Sequence, residues 1–191
     1  MGIGFLVVVD HDRFDETNLN RQALSSGRGL GRPKCEVAAR VLENVNPGVM
    51  VKTHQIRMDA ANAKEILAGV DVIVDALDNV PDRFTIQDTA RSLKIPLVHG
   101  AVAGFEGQLM TIFPEDTGLA LLYGTGDGER HPEKSPEALL GVPAVTPSLV
   151  ATLQAMEVIK VLLNRGRPFR NVMVHVDLET GEMNRFSFDG K

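Results

Sequence analysis

Phe5-Leu6-Val7-Val8-Val9-Asp10 is a short, unbroken apolar run closed by a carboxylate. A run of this length without polar alternation fits a parallel strand buried on both faces. Outward from it, strand-like and helix-like segments alternate. Residues 11–33 form a polar, Gly-rich connection. From Pro33 a helical pattern runs to about Asn44, with Val37, Ala38, Val41 and Val45 on one side. Asn46-Pro47-Gly48 stops it. A second strand is predicted over 49–56, a short helix over 62–67, and a third strand over 70–76 that leads into Asp78-Asn79. A helix over 82–93, a strand over 95–99 and a strand-like segment over 108–113 follow. A long polar stretch, 114–143, precedes a helix from about Pro147 to Leu163. The polar residues of that helix, Gln154, Glu157, Lys160 and Asn164, form one stripe, so most of its circumference is expected to be buried. Residues 172–178 and 183–188 flank Glu179-Thr180-Gly181-Glu182 and predict a closing antiparallel hairpin. The pattern is α/β with a mostly parallel sheet, and ligands are expected at the carboxyl ends of its strands.

Composition sets the outer limits. The chain has 191 residues, 43% hydrophobic and 24% charged, enough for one domain with a sizeable core. Twenty Lys and Arg against 25 Asp and Glu give a net charge of −5, which argues against nucleic acid as the main partner. A single cysteine, Cys35, excludes an internal disulfide and a zinc site of the paired-cysteine kind. No apolar run is expected to reach the roughly 18 residues of a membrane span. Asp10 cuts short the apolar start, so no signal peptide is read there. The expectation is a cytoplasmic protein with no membrane partner.

Four stretches carry candidate chemistry. Asp10 closes a strand, where a carboxylate can accept from both hydroxyls of a nucleotide ribose or simply be solvated. In Asp12 to Gln22, Asn18 and Arg21 lie three apart and can share one face of a helical turn. An amide and a guanidinium there can hold phosphate oxygens; the alternative is a polar surface loop. Gly27-Arg28-Gly29-Leu30-Gly31-Arg32-Pro33-Lys34 offers close backbone approach and cations to a phosphate, or is a flexible linker. Pro33 suits the first helical position and places Lys34 in the first turn. Asp78 and Asn79 follow a buried strand, where Asp78 can hold magnesium while Asn79 caps the next helix. Tyr123 to Gly128 also alternates glycine but follows no clear strand. His99 and His175 sit on apolar strands and read as core or edge histidines. Cys35 lies beside Lys34, a setting that can lower a thiol pKa, yet a buried structural role fits it better.

Together these residues resemble one family. Asp10-x-Asp12, then Asn18-x-x-Arg21-Gln22, then Gly31-x-Pro33-Lys34, then Asp78-Asn79 with Arg83, look like the ThiF/MoeB/HesA adenylyltransferases, relatives of ubiquitin-activating enzymes. The stretch Gly100 to Gln108 and the helix to Leu163 are similar too, so the resemblance covers essentially the whole chain. It implies a Rossmann-like, doubly wound fold in one domain over 1–191, with residues 114–145 as a long substrate or crossover loop. It implies binding of ATP with magnesium. The C-terminal carboxylate of a small ubiquitin-like sulfur-carrier protein ending in Gly-Gly would attack the α-phosphate, giving an acyl-adenylate and pyrophosphate. Carried over residue by residue, Asp10 holds the ribose, Asn18 and Arg21 contact phosphates, Lys34 neutralises the reacting phosphates and Asp78 binds magnesium. Arg21, Lys34 and Asp78 are the implied catalytic residues. Asp12, Gln22, Asn79 and Arg83 complete the nucleotide-binding set. A homodimer and a sulfur donor are implied partners, in thiamine or molybdopterin synthesis or a related pathway. Such chemistry needs positioning and charge neutralisation more than a general acid or base.

Three departures modify the expectation. The family's first strand, Gly-x-Gly-Gly-x-Gly loop and helix, about 25–30 residues, have no match before Gly2, so an N-terminally incomplete chain is expected. The paired Cys-x-x-Cys zinc site is lacking, so no zinc is expected. No cysteine falls in 114–145, so adenylylation without a covalent enzyme–carrier intermediate is expected. The competing readings are a degenerate nucleotide- or partner-binding relative without turnover, and a nicotinamide- or flavin-dependent oxidoreductase. The oxidoreductase leaves the Asn-x-x-Arg-Gln and Asp-Asn elements without a role.

Overall fold

The run Phe5–Val9 is strand β1, which pairs in parallel with β2 (Met50–His54) in the computed structural model, where residues 2–124 and 140–188 are described. The register runs from Phe5↔Met50 to Val9↔His54. Helix α1 (Lys34–Val45) makes the crossover that a parallel pair requires. Pro33 precedes it with φ −56°, already close to helical, and Asn46 ends it by giving its N–H to the Leu42 carbonyl. The connection from β1 to α1 is not loose. It holds two single-turn 3-10 helices, Glu16–Asn18 and Gly27–Gly29. The Phe14 N–H bonds Arg32 O, the Gly31 N–H bonds Phe14 O, and Phe14 is buried. Gly31 has φ +77°, which a side chain rarely tolerates, so the glycine is needed for this return. These elements form one unit, residues 1–58.

The second unit spans residues 59–191. Its elements are α2 (Ala63–Ile66), β3 (Ile73–Val74), α3 (Val80–Leu93), β4 (Leu97–Ala103), β5 (Glu106–Ile112), α4 (Ala120–Tyr123), α5 (Val145–Leu163), β6 (Val172–Asp177) and β7 (Glu182–Ser187). The sheet order is β3-β4-β5-β6-β7. Only β3–β4 is parallel; the other three pairings are antiparallel. The fold is therefore mixed α/β, and the expectation of a mostly parallel sheet is corrected. The physical reason is the turn at Gly104-Phe105, far too short for a crossover of a dozen residues. The closing hairpin β6–β7 is as expected, its turn held by Asp177, which accepts from the Glu179 and Thr180 N–H groups.

Strand boundaries differ from expectation most at β3 and β4. The third strand, expected over 70–76, keeps ladder geometry only at Ile73 and Val74. The strand expected to stop at His99 continues through Gly100 to Ala103. Gly100 is no turn. A Cβ there would lie 2.5 Å from the Gln154 side chain, so the glycine lets α5 press onto the sheet.

Helix α5 corrects a second expectation. Its polar residues Gln154 and Glu157 are buried, while Val145, Met156, Leu162 and Leu163 are exposed. Gln154 Nε2 donates to the carbonyls of Asp75 and Val98, at 2.9 and 3.2 Å. Glu157 Oε2 accepts from Thr111 Oγ1 and from the Phe169 N–H, each at 2.7 Å, and its other oxygen pairs with Lys160. Every buried polar atom named here has a partner, which is why an inward polar stripe is tolerated. By length and composition this helix, with mean hydropathy 1.3 over its apolar window, also meets the requirement for a membrane span, contrary to the expectation of no such run. Its buried Gln154 and Glu157 are joined to the sheet instead. The sheet core is formed by Leu97, Val98, Leu109, Met110, Ile112, Val174 and Val176. Of the long polar stretch, residues 114–124 and 140–143 are described; the rest, with most of the Tyr123 to Gly128 glycine alternation, lies outside the described residues.

Candidate active site

Two groups of residues, one in each unit, carry the expected chemistry. In the first unit, Asp10 follows β1, its N–H bonded to the His54 carbonyl at the end of β2. One Asp10 carboxylate oxygen accepts the Asp12 N–H at 2.8 Å. Asp12 in turn holds Lys34 twice. Its carbonyl accepts the Lys34 N–H at 3.0 Å, and its carboxylate meets Lys34 Nζ at 2.8 Å. The Lys34 hydrogen bond holds the Asp12 carboxyl below its ordinary value. The structure thus brings Asp10, Asp12 and Lys34 together. With His11, the two aspartates place three possible ligand atoms within 4.8 Å of one another.

Asn18, Arg21 and Gln22 cluster around the first 3-10 helix, where the Asn18 carbonyl accepts the N–H groups of both Arg21 and Gln22. Asn18 itself is buried, and its side-chain oxygen takes the Asp15 N–H at 3.1 Å in a reciprocal cap. The Asn18 side-chain oxygen thus holds its own loop. The half-buried Arg21 guanidinium lies on Thr17 O and on Asn20 Oδ1. Gln22 takes Ser25 through its carbonyl. Cys35 is fully buried, and burial pushes its thiol up rather than down. That is the structural role, not an activated nucleophile.

In the second unit the chain leaves the sheet at Asp75. Asn79 caps α3, its side-chain oxygen accepting the Asp82 N–H at 2.9 Å. Asp78 is exposed, and among the described residues its Oδ1 takes only a long 3.3 Å bond from Asn79 Nδ2. A magnesium ion bound with nucleotide phosphates uses one or two protein carboxylates and keeps the rest of its shell for phosphate and water. An exposed carboxylate with little internal engagement fits that need. Arg83, expected to touch the nucleotide, is buried. Its Nη2 donates to the Leu77 carbonyl and its Nη1 to the Tyr123 hydroxyl at 3.0 Å. Its guanidinium frames the Asp78 turn from inside the protein.

A buried polar cluster accompanies this turn. His99 Nδ1 lies 2.6 Å from Asp75 Oδ2, both residues fully buried, and the Tyr123 hydroxyl lies 3.2 Å from His99 Nε2. Sequence reading placed His99 in the core but missed its partners. The signal was available in the register. Val74 pairs with Val98, so the next residues, Asp75 and His99, are neighbours on parallel strands.

The ThiF family model matches residues 1–191. The chain belongs to the ThiF family. It is 39% identical over 178 residues to the SAMP-activating enzyme E1 of Haloferax volcanii, covering 93% of this chain and 65% of that protein. It is 37% identical over 185 residues to the sulfur carrier protein adenylyltransferase of Thermus thermophilus, covering 92% and 66% respectively. This ThiF-family chain thus spans about two thirds of the length of these curated relatives. In fold it resembles Escherichia coli MccB, with a TM-score of 0.82 at 20% identity over 97% of this chain and 56% of that one. The Rossmann-like assignment rests on that likeness.

Proposed function

We propose that this protein adenylylates the C-terminal carboxylate of a small ubiquitin-like sulfur-carrier protein. A carboxylate oxygen of the carrier attacks the α-phosphorus of ATP. The bond from that phosphorus to the α,β-bridging oxygen breaks, and pyrophosphate leaves with the electron pair. The single observation that carries the reading is Lys34. In a ThiF-family chain, it is a half-buried cation fastened at both its backbone and its ammonium to Asp12, which is itself fastened to Asp10. A fixed cation costs no reorganisation when charge builds on the phosphates. The names of the Haloferax and Thermus relatives support the carrier as substrate.

In this reading Asp10 accepts from the ribose hydroxyls. Lys34 exchanges its Asp12 partner for phosphate oxygens. Arg21 turns from the Thr17 carbonyl to the phosphates, a change of one side chain on a fixed turn. Magnesium, when bound at Asp78, neutralises phosphate charge. Asp12, Gln22 and Asn79 shape the two loops, and no zinc is called for. A homodimer, a sulfur donor that receives the adenylylated carrier, and a cytoplasmic setting belong to the same proposal. Buried Cys35 has no covalent part in it.

Carrier-dependent exchange of labelled pyrophosphate into ATP tests the reading. Lys34→Ala and Arg21→Ala are each expected to lower exchange by about 100-fold or more, the range for removing one charge-stabilising donor. Exchange at the wild-type rate in Lys34→Ala overturns the role given to that lysine.

A further inference from the structure

We infer that Tyr123 is a positioning residue for the Asp78 carboxylate, acting through Arg83. The inference rests on Asp78 as the magnesium-binding carboxylate of the proposed reaction.

Tyr123 is the last residue of α4, and three side chains of other elements meet on its hydroxyl. Arg83 Nη1 donates to it at 3.0 Å and Gln108 Nε2 at 2.7 Å. A phenol has one proton to give and two lone pairs to offer. With both lone pairs taken, its proton goes to the third neighbour, His99 Nε2, at 3.2 Å. That nitrogen is then an acceptor, so Nδ1 carries the imidazole hydrogen and donates it to Asp75 Oδ2 at 2.6 Å. The inventory closes with a single polarity. Burial pushes the Tyr123 phenol up, which keeps its proton in place. Its ring also stands edge-on to His99, with centroids 5.8 Å apart at 87°.

What the cluster holds is Leu77. The Leu77 N–H donates to Asp75 Oδ1 at 2.9 Å, and the Leu77 carbonyl accepts from Arg83 Nη2. Strand β3 is two residues long, and the Asp75 N–H to Val98 bond is its last link to the sheet. Beyond that link, side chains do the work that a longer ladder would do. With both Leu77 peptide groups fixed, the next residue leaves in one direction and its carboxylate is presented to solvent. Tyr123 sets one end of the Arg83 guanidinium that serves Leu77, while Asp75 Oδ2 lies 3.6 Å from its Nε on the other side. Sequence gave no hint of this, because Tyr123 is 40 residues from Arg83.

The test is Tyr123→Phe, which removes one oxygen and keeps the ring, with Arg83→Lys as a second variant. A lysine keeps the charge but cannot reach two acceptors in fixed fork geometry. The probe is Mn2+ binding, read by electron paramagnetic resonance, in the presence of α,β-methylene-ATP. Each variant is expected to weaken Mn2+ binding by about 10-fold, as loss of a residue supporting a metal ligand does. In an Asp78→Asn background, Tyr123→Phe is expected to add nothing. Equal weakening in both backgrounds overturns the inference, as does a lower melting temperature with unchanged Mn2+ affinity. Carrier-dependent pyrophosphate exchange on the same wild-type protein separates the two levels. Coupling of Tyr123 to Asp78 without any exchange removes the adenylylation reading and leaves the positioning role. Exchange without coupling removes the positioning role alone. No Mn2+ binding by the wild type removes both.

Discussion

Asp12 shows how one residue can serve a loop and a reaction at once. Its carboxylate is half-exposed, yet the hydrogen bond from Lys34 lowers its pKa below the ordinary aspartate value of 3.8. A folded-state value below the unfolded one means that the ionised carboxylate adds stability at pH above 3.8, and that this is lost as pH falls through the lower folded value. Asp15, held low by the Thr17 hydroxyl, acts with the same sign. Asp12→Asn is therefore expected to flatten the acid side of the stability curve, most visibly below about pH 4, where the wild type is giving up its charge. Melting temperature followed from neutral pH downward checks this, and an unchanged acid slope would mean that the Lys34 pair carries no stability. At this scale the sequence was only partly legible. Residue types and position marked Asp10, Lys34 and Asp78 as candidates, and the family resemblance added Asp12. They could not separate Arg21, on the surface of its turn, from Arg83, buried 4 residues beyond Asn79. Side-chain direction depends on which face of α3 packs inward, and its polar face carries both Arg83 and Gln87 into the core.

Element scale is where glycine misleads. Gly100 and Gly107 both lie within strands and admit α5 closely. An added Cβ would lie 2.5 Å from Gln154 at Gly100 and 2.4 Å from Val150 at Gly107. The true turn glycine is Gly104, with φ +57°. Gly100→Ala is expected to destabilise by about 1–3 kcal/mol, the ordinary cost of one methyl too many in a packed contact. Because the clash is with a side-chain end, Gln154→Ala should relieve part of it. The double variant should then be less destabilised than the sum of the singles, as urea unfolding of the four proteins would show. Additive effects would mean that α5 shifts as a body instead. The same packing explains why α5 was misjudged. A helix apolar almost all round offers no periodic signal for which face goes inward. The decision fell to hydrogen bonds that Gln154 donates and Glu157 accepts, with partners distant in sequence. The long, unbroken patterns of β1, α1 and the β6–β7 hairpin were legible because local periodicity alone specifies them.

For the whole chain, the legible part was the alternation of strands and helices and the order of its polar punctuation. The direction of β5 against β4 and β6 was hidden, since a turn of two residues or a long connection decides it, and neither shows in hydrophobic pattern. The expected nucleotide response belongs to this scale, because ligand binding to the folded state raises the stability of everything that must be folded to bind. At 100 times its dissociation constant, ATP with magnesium would add about 2.7 kcal/mol, or roughly 5–10 °C in melting temperature for a chain of this size. Lys34→Ala is expected to lose most of that shift, since the fixed cation is the residue whose charge the phosphates meet. Cys35→Ser is expected to keep it, because the buried thiol contributes packing and no ligand contact. A shift that survives Lys34→Ala would place the nucleotide elsewhere on the protein. A shift lost in Cys35→Ser at unchanged starting stability would mean that the thiol lies closer to the ligand than its burial implies.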